Sequence, residues 1–320
     1  MNETLRTAGD RCVLRMERRL AHPQEKVWRA ITEPEHLNQW YPMPATRIDL
    51  RVGGTIGFDV GGDPNMPGQS TMEGTVTECD PPRVFAFSTP AGDVLENERD
   101  NLNHFELRPD GDGCLLVFTH MFYDRPFAAS YAAGWTDCLN ALEMVLDERP
   151  VEWPEHMVEN FEAFMEKFGL NRGSTEDTPD GWRVRFDRQL MQASATTPVE
   201  HPVEQVWAAL KGADPGVPPE KVTAPAVGDP PPDGFTTARV PSGPVTAAEA
   251  PTVLEYDWQC EDRTAGRVRW ELSSTPAGTR ITVTQTGPPE LAGQRSVGLA
   301  AWRAHIEDFV RRFQAERSPS

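Results

Sequence analysis

The chain reads His22-Pro23-Gln24-Glu25-Lys26-Val27-Trp28-Arg29-Ala30-Ile31 in its first half and His201-Pro202-Val203-Glu204-Gln205-Val206-Trp207-Ala208-Ala209-Leu210 in its second. Both stretches open on His-Pro and place a Val-Trp pair at the same distance from it. Internal similarity of this kind indicates a repeated structural unit and has to be recognised before a fold is assigned. The sequence therefore predicts one fold that occurs twice.

Two further similarities follow in the same order in both halves. The segment from Glu106-Leu107 to Phe118-Thr119-His120 resembles the segment from Glu271-Leu272 to Val283-Thr284-Gln285. A helix-like segment with a central tryptophan, Trp135 or Trp302, then closes each half. The second half is shorter in its middle, which indicates duplication followed by loss of material.

The length of 320 residues fits two domains of roughly 150 residues, each able to bury a hydrophobic core. Residues 171–181 are polar, contain glycine and proline and lack apolar periodicity, which is typical of a linker. We expect a first domain at residues 11–170, a linker at 171–181 and a degenerate second domain at 182–315.

The composition excludes several classes of partner and location. A net charge of −18 argues against nucleic acid and anionic membranes, because both are bound by clustered lysine and arginine. Five cysteines without a C-x-x-C pair fit reduced thiols better than a disulfide scaffold. The sequence also lacks a signal peptide and any run near 18 apolar residues, so a cytoplasmic location is expected.

The pattern of apolar residues predicts an α+β fold. Residues 12–20 alternate as in a half-buried strand, Pro23 opens a helix, and Pro34 ends it before a second short helix at 35–40. Further strands are expected at residues 46–50, 54–60, 72–78, 84–88, 94–107 and 114–122, with helical spacing at 127–146 and again at 157–168. Such a curved antiparallel sheet would grip the long helix and leave a small-molecule cavity between them.

One set of motifs resembles a known family. It consists of Pro23-x-x-x-Val27-Trp28-x-Ala30-Ile31-Thr32-x-Pro34-x-x-Leu37-x-x-Trp40-Tyr41, then Val52-Gly53-Gly54, then Gly134-Trp135-x-x-x-Leu139-x-x-Leu142. This is similar to the SRPBCC (START-like) superfamily and, within it, to the Aha-type branch of chaperone-ATPase activators. In the second half only the opening at Pro202 and the helix with Trp302 match, while the Trp-Tyr pair and the Gly-Gly turn are missing.

The resemblance implies two helix-grip domains, each a curved antiparallel sheet around a long C-terminal helix, with a hydrophobic cavity. The superfamily includes lipid carriers, hormone receptors, polyketide aromatase/cyclases, self-resistance proteins and chaperone regulators. The fold alone therefore does not determine the function.

Candidate ligand-binding residues are aromatic. Six of them could line a pocket for a planar apolar ligand: Trp28, Trp40, Tyr41, Phe58, Phe118 and Trp135. The simpler interpretation is that most of them are core residues, because aromatic side chains dominate core packing. Trp40 and Tyr41 are the expected exceptions, since they follow a short helix near where a cavity would open.

Candidate acid/base residues lie on two strands joined by a hairpin. His104 and His120, with Glu106 and Asp100, could act on one ligand, and alternation puts Asp100, His104 and Glu106 on one face. The same pattern is typical of the solvated face of an antiparallel sheet.

No metal or cofactor is expected. The seven histidines form no H-x-x-x-H or H-E-x-x-H motif, and neither a phosphate loop nor a G-x-S-x-G elbow occurs. Residues 212–232 are rich in proline and could bind a partner as a polyproline helix. The favoured interpretation is a loop that replaces the second short helix and the first strands of the hairpin run.

The leading hypothesis is a non-enzymatic protein that binds a small apolar or aromatic molecule in a cavity of the first domain, without a cofactor. One alternative is an aromatase/cyclase-like enzyme that uses a histidine or carboxylate to move protons. The other is an interaction protein that regulates a chaperone or confers self-resistance.

Overall fold

The computed structural model describes residues 2–61, 71–90, 95, 98–153, 157–192, 202–212 and 223–315. The chain divides into two compact units, Met1–Phe164 and Met165–Ser320, which are called unit 1 and unit 2. Each unit combines one antiparallel sheet with a long helix that follows its last strand.

The strands of unit 1 are β1 (Asn2–Ala8), β2 (Arg11–Leu20), β3 (Ala45–Ile48), β4 (Thr55–Asp59), β5 (Thr71–Asp80), β6 (Val84–Pro90), β7 (Asp100–Asp110) and β8 (Gly113–Phe122). Over the described residues they form one eight-stranded sheet in the order β1-β2-β8-β7-β6-β5-β4-β3. Every neighbouring pair is antiparallel.

The helices of this part of the chain are α1 (Gln24–Thr32), α2 (Pro34–Leu37), α3 (Ala128–Leu146) and α4 (Met157–Lys167). Pro23 is the N-cap of α1, and Pro34 is the first residue of α2. A proline suits both positions because the first N–H groups of a helix have no intrahelical partner. The predicted helix boundary at Pro34 is thus confirmed, and the same residue also begins α2.

Strand β2 follows the predicted alternation. Leu14, Met16 and Leu20 are buried, whereas Arg15 and Glu17 lie on the other face and pair at 2.6 Å. Residues two apart in a strand share a face, so one face of β2 packs on the core and the other meets solvent.

In unit 2 the elements are β9 (Ser174–Thr178), β10 (Gly181–Met191), α5 (Pro202–Leu210), β11 (Ser242–Glu249), β12 (Val253–Cys260), β13 (Arg263–Thr275), β14 (Gly278–Gly287) and α6 (Gln294–Ala315). The described residues form a six-stranded sheet in the order β11-β12-β13-β14-β10-β9. This order corresponds to β5-β6-β7-β8-β2-β1 of unit 1. The predicted repeat is therefore confirmed, and both units have the α+β architecture expected of helix-grip domains.

The strand register gives the correspondence between individual residues. Phe105 pairs with Phe118 in unit 1, and Trp270 pairs with Val283 in unit 2. This agrees with the sequence similarity between Glu106-Leu107 and Glu271-Leu272. Residues of β7 and β8 therefore have counterparts at the matching positions of β13 and β14.

Unit 2 lacks counterparts of α2, β3 and β4 within its described residues. Between α5 and β11 the described residues 223–241 contain a short 3-10 helix, Asp233–Phe235, and a bridge between Thr237 and Val240. This confirms the loop interpretation of the proline-rich segment for residues 223–232, while residues 213–222 lie outside the described residues.

Two edge strands were not predicted. Strand β1 pairs with β2, and strand β9 lies inside residues 171–181, the segment predicted as a linker. The linker prediction is therefore wrong for this segment, because Ser174–Thr178 pairs with β10 although its side chains are mostly exposed and polar. The domain boundaries at 11–170 and 182–315 stay predictions.

None of the helices in the described part of the chain has both the length and the apolar character required to cross a lipid bilayer.

The core of unit 2 is built around four fully buried tryptophans, which are Trp182, Trp207, Trp270 and Trp302. Burial of such large side chains from both sheet and helix explains how a reduced sheet retains a core.

Gly298 in α6 and Gly134 in α3 form a matched pair for a stability test. A methyl group on Gly298 would lie 2.3 Å from Oε1 of Gln285, a buried atom that accepts a hydrogen bond from Trp302. On Gly134 it would meet no described atom within 4 Å. Gly298→Ala should lower the free energy of unfolding by ~1–3 kcal/mol through overpacking, and Gly134→Ala should raise it by ~0.5–1 kcal/mol.

Urea unfolding followed by far-UV circular dichroism measures both effects. Equal midpoints for the two variants would contradict the close packing of Gln285 against α6.

Candidate functional site

An aromatic cluster lies between the sheet of unit 1 and helix α3. Its members are all buried and come from α1, the turn after α2, strands β4, β6, β7 and β8, and α3: Trp28, Trp40, Tyr41, Phe58, Phe85, Phe87, Phe105, Phe118 and Trp135. The strand members occupy inward positions two residues apart, as in Phe85 and Phe87. The cluster therefore follows directly from the period of the strands.

The rings contact one another closely. Phe118 lies 4.1 Å from Trp135 between ring centroids, and Phe105 lies 4.8 Å from Phe118. Tyr41 stacks on Phe58 at 5.3 Å and also meets Trp135 at 5.8 Å. Most of these pairs are tilted or edge-on, the arrangements that the ring quadrupoles favour. The rings thus form one packed array from β4 to α3.

All six predicted ligand-binding residues belong to this cluster. Trp40 is fully buried and its Nε1 donates a hydrogen bond to the carbonyl of Ala30 at 2.9 Å, which anchors the end of α2 to α1. Trp40 therefore does not border an opening, contrary to expectation. Tyr41 is also buried. The structure places all six as core residues. Their role in ligand binding stays a prediction.

His120 lies at one end of the cluster and both of its ring nitrogens are engaged. Nδ1 accepts a hydrogen bond from Nε1 of Trp135 at 3.3 Å, and Nε2 lies 2.9 Å from Oδ1 of Asn101. Because Nδ1 accepts, Nε2 carries the proton and donates to Asn101. Burial lowers the pKa of His120 to about 3, so the ring is neutral at neutral pH.

The remaining acid/base candidates lie on the opposite face of the sheet. His104 pairs with Thr119 in the β7–β8 register, so its side chain and that of His120 point to different faces. His104 Nε2 lies 3.4 Å from Glu78, and Glu106 accepts two hydrogen bonds from Arg108, the shorter at 2.8 Å. The sheet therefore separates His120 from His104 and Glu106, and the predicted four-residue acid/base group is wrong as a single group.

Asp100 shares that outer face, as predicted, and is bound by the guanidinium of Arg11 at 3.1 Å. The guanidinium beside Glu106 lowers the pKa of that carboxyl. These are ordinary ion pairs of a solvated sheet face.

The inner face instead carries a set of polar residues of which only His120 was predicted from the sequence. We call this set the polar end, and it consists of Glu98, Asn101, Asn103, His120 and Tyr131. Tyr131 packs edge-on against His120 with ring centroids 4.5 Å apart, and its hydroxyl lies 3.5 Å from Oε2 of Glu98. Asn103 pairs with His120 in the strand register.

Asn103 has the least satisfied side chain of the polar end. It is 4% exposed, and its Oδ1 is buried without a hydrogen-bond partner among the described residues. A buried acceptor without a partner costs about 1–3 kcal/mol, and such groups are rare enough in folded proteins to require an explanation.

Glu98 precedes β7 and organises the connection from β8 to α3. Its carboxylate accepts hydrogen bonds from the backbone N–H groups of Tyr123 at 2.8 Å and Asp124 at 3.2 Å. Burial is the largest influence and raises the pKa of Glu98, although these two hydrogen bonds oppose it. Burial, reinforced by the charge of Glu98, also raises the pKa of Tyr131 well above its ordinary value.

A signal for the polar end was present in the sequence. Asn101, Asn103, Phe105 and Leu107 alternate with the more polar Asp100, His104 and Glu106. Two large apolar residues at odd positions indicate which face is buried, and that face also contains the two asparagines.

Unit 2 differs from the polar end at the matched positions. Val268 pairs with Gln285 where Asn103 pairs with His120, and Trp302 donates its indole N–H to Gln285 Oε1 at 2.9 Å. Gly298 stands four residues before Trp302, as Tyr131 does before Trp135. The indole hydrogen bond is retained in both units, whereas the asparagine and the tyrosine are present only in unit 1.

The described residues contain no group of three or more histidine, cysteine, aspartate or glutamate side chains placed to hold a metal ion. The absence of a metal or cofactor remains a prediction.

Two copies of an antiparallel sheet, each packed on a long helix through its own buried aromatic side chains, define a tandem helix-grip protein. Residues 21–147 and 227–314 match the family described as "Activator of Hsp90 ATPase homolog 1-like protein". These segments cover more than half of the chain, and the protein belongs to this family.

Solved structures give further similarities. CalU16 from Micromonospora echinospora is 24% identical over 52% of this chain and 95% of that one, with a TM-score of 0.40. DynU16, a protein of the dynemicin biosynthetic locus, is 15% identical over 92% of this chain and 96% of that one, with a TM-score of 0.39.

The Aha1 dimer from Colwellia psychrerythraea is 21% identical over 42% of this chain and 95% of that one, with a TM-score of 0.35. No functional conclusion follows from identities and TM-scores of this size. Comparison with curated proteins gave no match.

The neutral state of His120 makes a testable contribution to stability. Its folded pKa of about 3 lies below the ordinary value of 6.5. Between these values the unfolded state binds a proton that the folded state does not, so stability is lost as the pH falls below 6.5. The expected loss is about 1.4 kcal/mol per pH unit.

His120→Gln, which installs the residue found at position 285, should remove this loss. Urea unfolding of both proteins from about pH 7 to about pH 5 measures the difference between their free energies of unfolding. Burial raises the pKa of Asp137 to about 6, with the opposite effect on stability, but that residue is present in both proteins and cancels. A difference that stays constant with pH would contradict a neutral His120.

Proposed function

We propose that unit 1 binds a small, largely aromatic organic molecule at the polar end of its inner face. The observation that carries this proposal is the unpartnered Oδ1 of Asn103, which faces a buried aromatic environment. A site with aromatic walls and a few placed polar groups is the usual chemistry of a small-molecule pocket.

The gradient of burial supports this location. Glu98, Asn101 and Tyr131 are partly exposed, whereas Asn103 and His120 behind them are buried. A ligand would enter past the partly exposed groups and reach Asn103. The centre of the aromatic cluster, around Trp40 and Phe58, is already filled by rings. The ligand is therefore proposed to bind beside this cluster, at the polar end, and not in its centre.

Unit 2 supports the assignment to unit 1. Its counterparts of Asn103 and Tyr131 are Val268 and Gly298, and the side chain of Gln285 fills the space beside Gly298. The same fold without the polar end serves as an internal comparison.

The enzymatic alternative receives less support. An aromatase/cyclase-like mechanism needs a proton-transfer group that faces the ligand. His104 and Glu106 lie on the outer face, and both ring nitrogens of His120 are engaged.

A chaperone-regulating or self-resistance role would need a partner surface, and no described residue specifically favours one. The cytoplasm remains the proposed location, in keeping with five cysteines that are all free.

The proposal predicts that one molecule of 2-naphthol binds per chain. Isothermal titration calorimetry measures the stoichiometry, and ¹H–¹⁵N spectra of the indole groups locate the site. The Nε1–H signal of Trp135, beside the polar end, should shift on titration, and that of its counterpart Trp302 should not. The variants Trp135→Phe and Trp302→Phe assign the two signals.

Native mass spectrometry of the purified chain provides a second readout, as a retained small molecule would add a discrete mass. Absence of heat and of any shift at Trp135 would refute the proposal. An equal shift at Trp302 would refute the assignment to unit 1.

A further inference from the structure

We infer that Asn103 is the specificity-determining residue of this site, and that its ligand is an aromatic molecule with a hydroxyl or N–H group that donates a hydrogen bond to Asn103 Oδ1. This inference rests on the proposed function and adds the chemical class that the site selects. An aromatic molecule without such a donor would leave the acceptor unpaired.

The polar groups nearest to Asn103 cannot supply the missing donor. His120, directly opposite on β8, accepts at Nδ1 from Trp135 and uses Nε2–H for Asn101. The indole N–H of Trp135 is committed to His120 in turn. The N–H groups of His120 and Trp135 are therefore both used by acceptors other than Asn103.

The strands on both sides leave no substitute. Asn103 pairs with Phe87 on β6 and with His120 on β8, so the surrounding backbone groups take part in the sheet ladders. The side chain opposite on β6 is a phenylalanine, which has no donor. A donor for Oδ1 must therefore come from a molecule that enters the site, either a ligand or a water.

The surroundings favour a planar ligand. Phe87 and His120 flank Asn103 across the strands, at the distance where cross-strand side chains meet, and Phe105 follows two residues along β7. Phe87 and Phe105 are stacked with ring centroids 6.4 Å apart, and His120 lies 6.0 Å from Trp135. One acceptor surrounded by rings on several sides matches an aromatic hydroxyl or a heteroaromatic N–H.

The expected selectivity follows from the asymmetry of hydrogen bonding. A buried site built to accept a hydrogen bond discriminates strongly against an analogue that lacks the donor, because the acceptor loses water and gains nothing. We expect a preference of about ten- to a hundredfold for a free hydroxyl over its methyl ether.

The test compares 2-naphthol with 2-methoxynaphthalene on the full chain by isothermal titration calorimetry. The two probes share the ring system and differ in the donor. The wild-type protein should bind 2-naphthol at least about tenfold more tightly. In Asn103→Leu the preference should disappear, mainly through weaker binding of 2-naphthol.

His104→Leu is the matched control, because it makes the same kind of change one residue away on the outer face. It should keep the wild-type preference. Removal of an unpaired acceptor should not destabilise the fold, so the melting temperature of Asn103→Leu should equal or exceed that of the wild type. The comparison of the two probes on the wild-type protein tests the inference even if Asn103→Leu fails to fold.

The outcomes separate the inference from the proposed function. Binding of neither probe would refute the proposed function, and the inference with it. Equal binding of both probes would leave ligand binding standing and overturn the inference, as expected if a water satisfies Asn103. A preference that persists in Asn103→Leu would assign the acceptor to another residue and would also overturn it.

Discussion

Both units depend on one contact, in which a tryptophan of the long helix packs on the inner face of the sheet and donates its indole N–H to a buried polar residue of the last strand. Trp135 binds His120 and Trp302 binds Gln285. A side chain of this size removes ~150–250 Å² from water, which is worth ~4–6 kcal/mol at ~25 cal/mol per Å². The hydrogen bond fixes the direction of the ring, because an unpaired indole N–H would be costly in the core. Helix and sheet are thereby held in one register in two sequences that have otherwise diverged.

The two units use this arrangement differently. In unit 1 the sheet has β3 and β4 in addition, and its inner face combines an aromatic cluster with the polar end. In unit 2 the described strands correspond to six of those eight, and the core is closed by tryptophans from sheet and helices. Family membership applies to both halves, since the matched segments lie in each. One chemical difference between the two inner faces lies at the matched pairs Asn103–His120 and Val268–Gln285.

The sequence predicted the duplication, the α+β class and the long helices because these depend on residues with strong local signals, such as Pro23, Trp28 and Trp135. It missed β1 and β9, since an edge strand with exposed polar side chains is defined by its partner and not by its own pattern. The grouping of the acid/base candidates was correct for three of the four residues, for a related reason. Alternation correctly grouped Asp100, His104 and Glu106 on one face, but a period of two defines two faces without saying which is buried. The inward residues Phe105 and Leu107 carried that information, and the hydrogen bonds of His120 could be known only from three-dimensional contacts.

The close contact between Gln285 and Gly298 constrains which substitutions the second copy can accept. A side chain at position 298 would meet the amide of Gln285, so an aromatic ring there requires that glutamine to move or to be replaced. Replacement of Gln285 by a smaller side chain would leave the indole N–H of Trp302 without its acceptor, whereas a histidine there could accept it as His120 does from Trp135. Positions 285, 298 and 302 of the second copy are thus coupled, and a substitution at one of them changes which side chains the other two can accommodate.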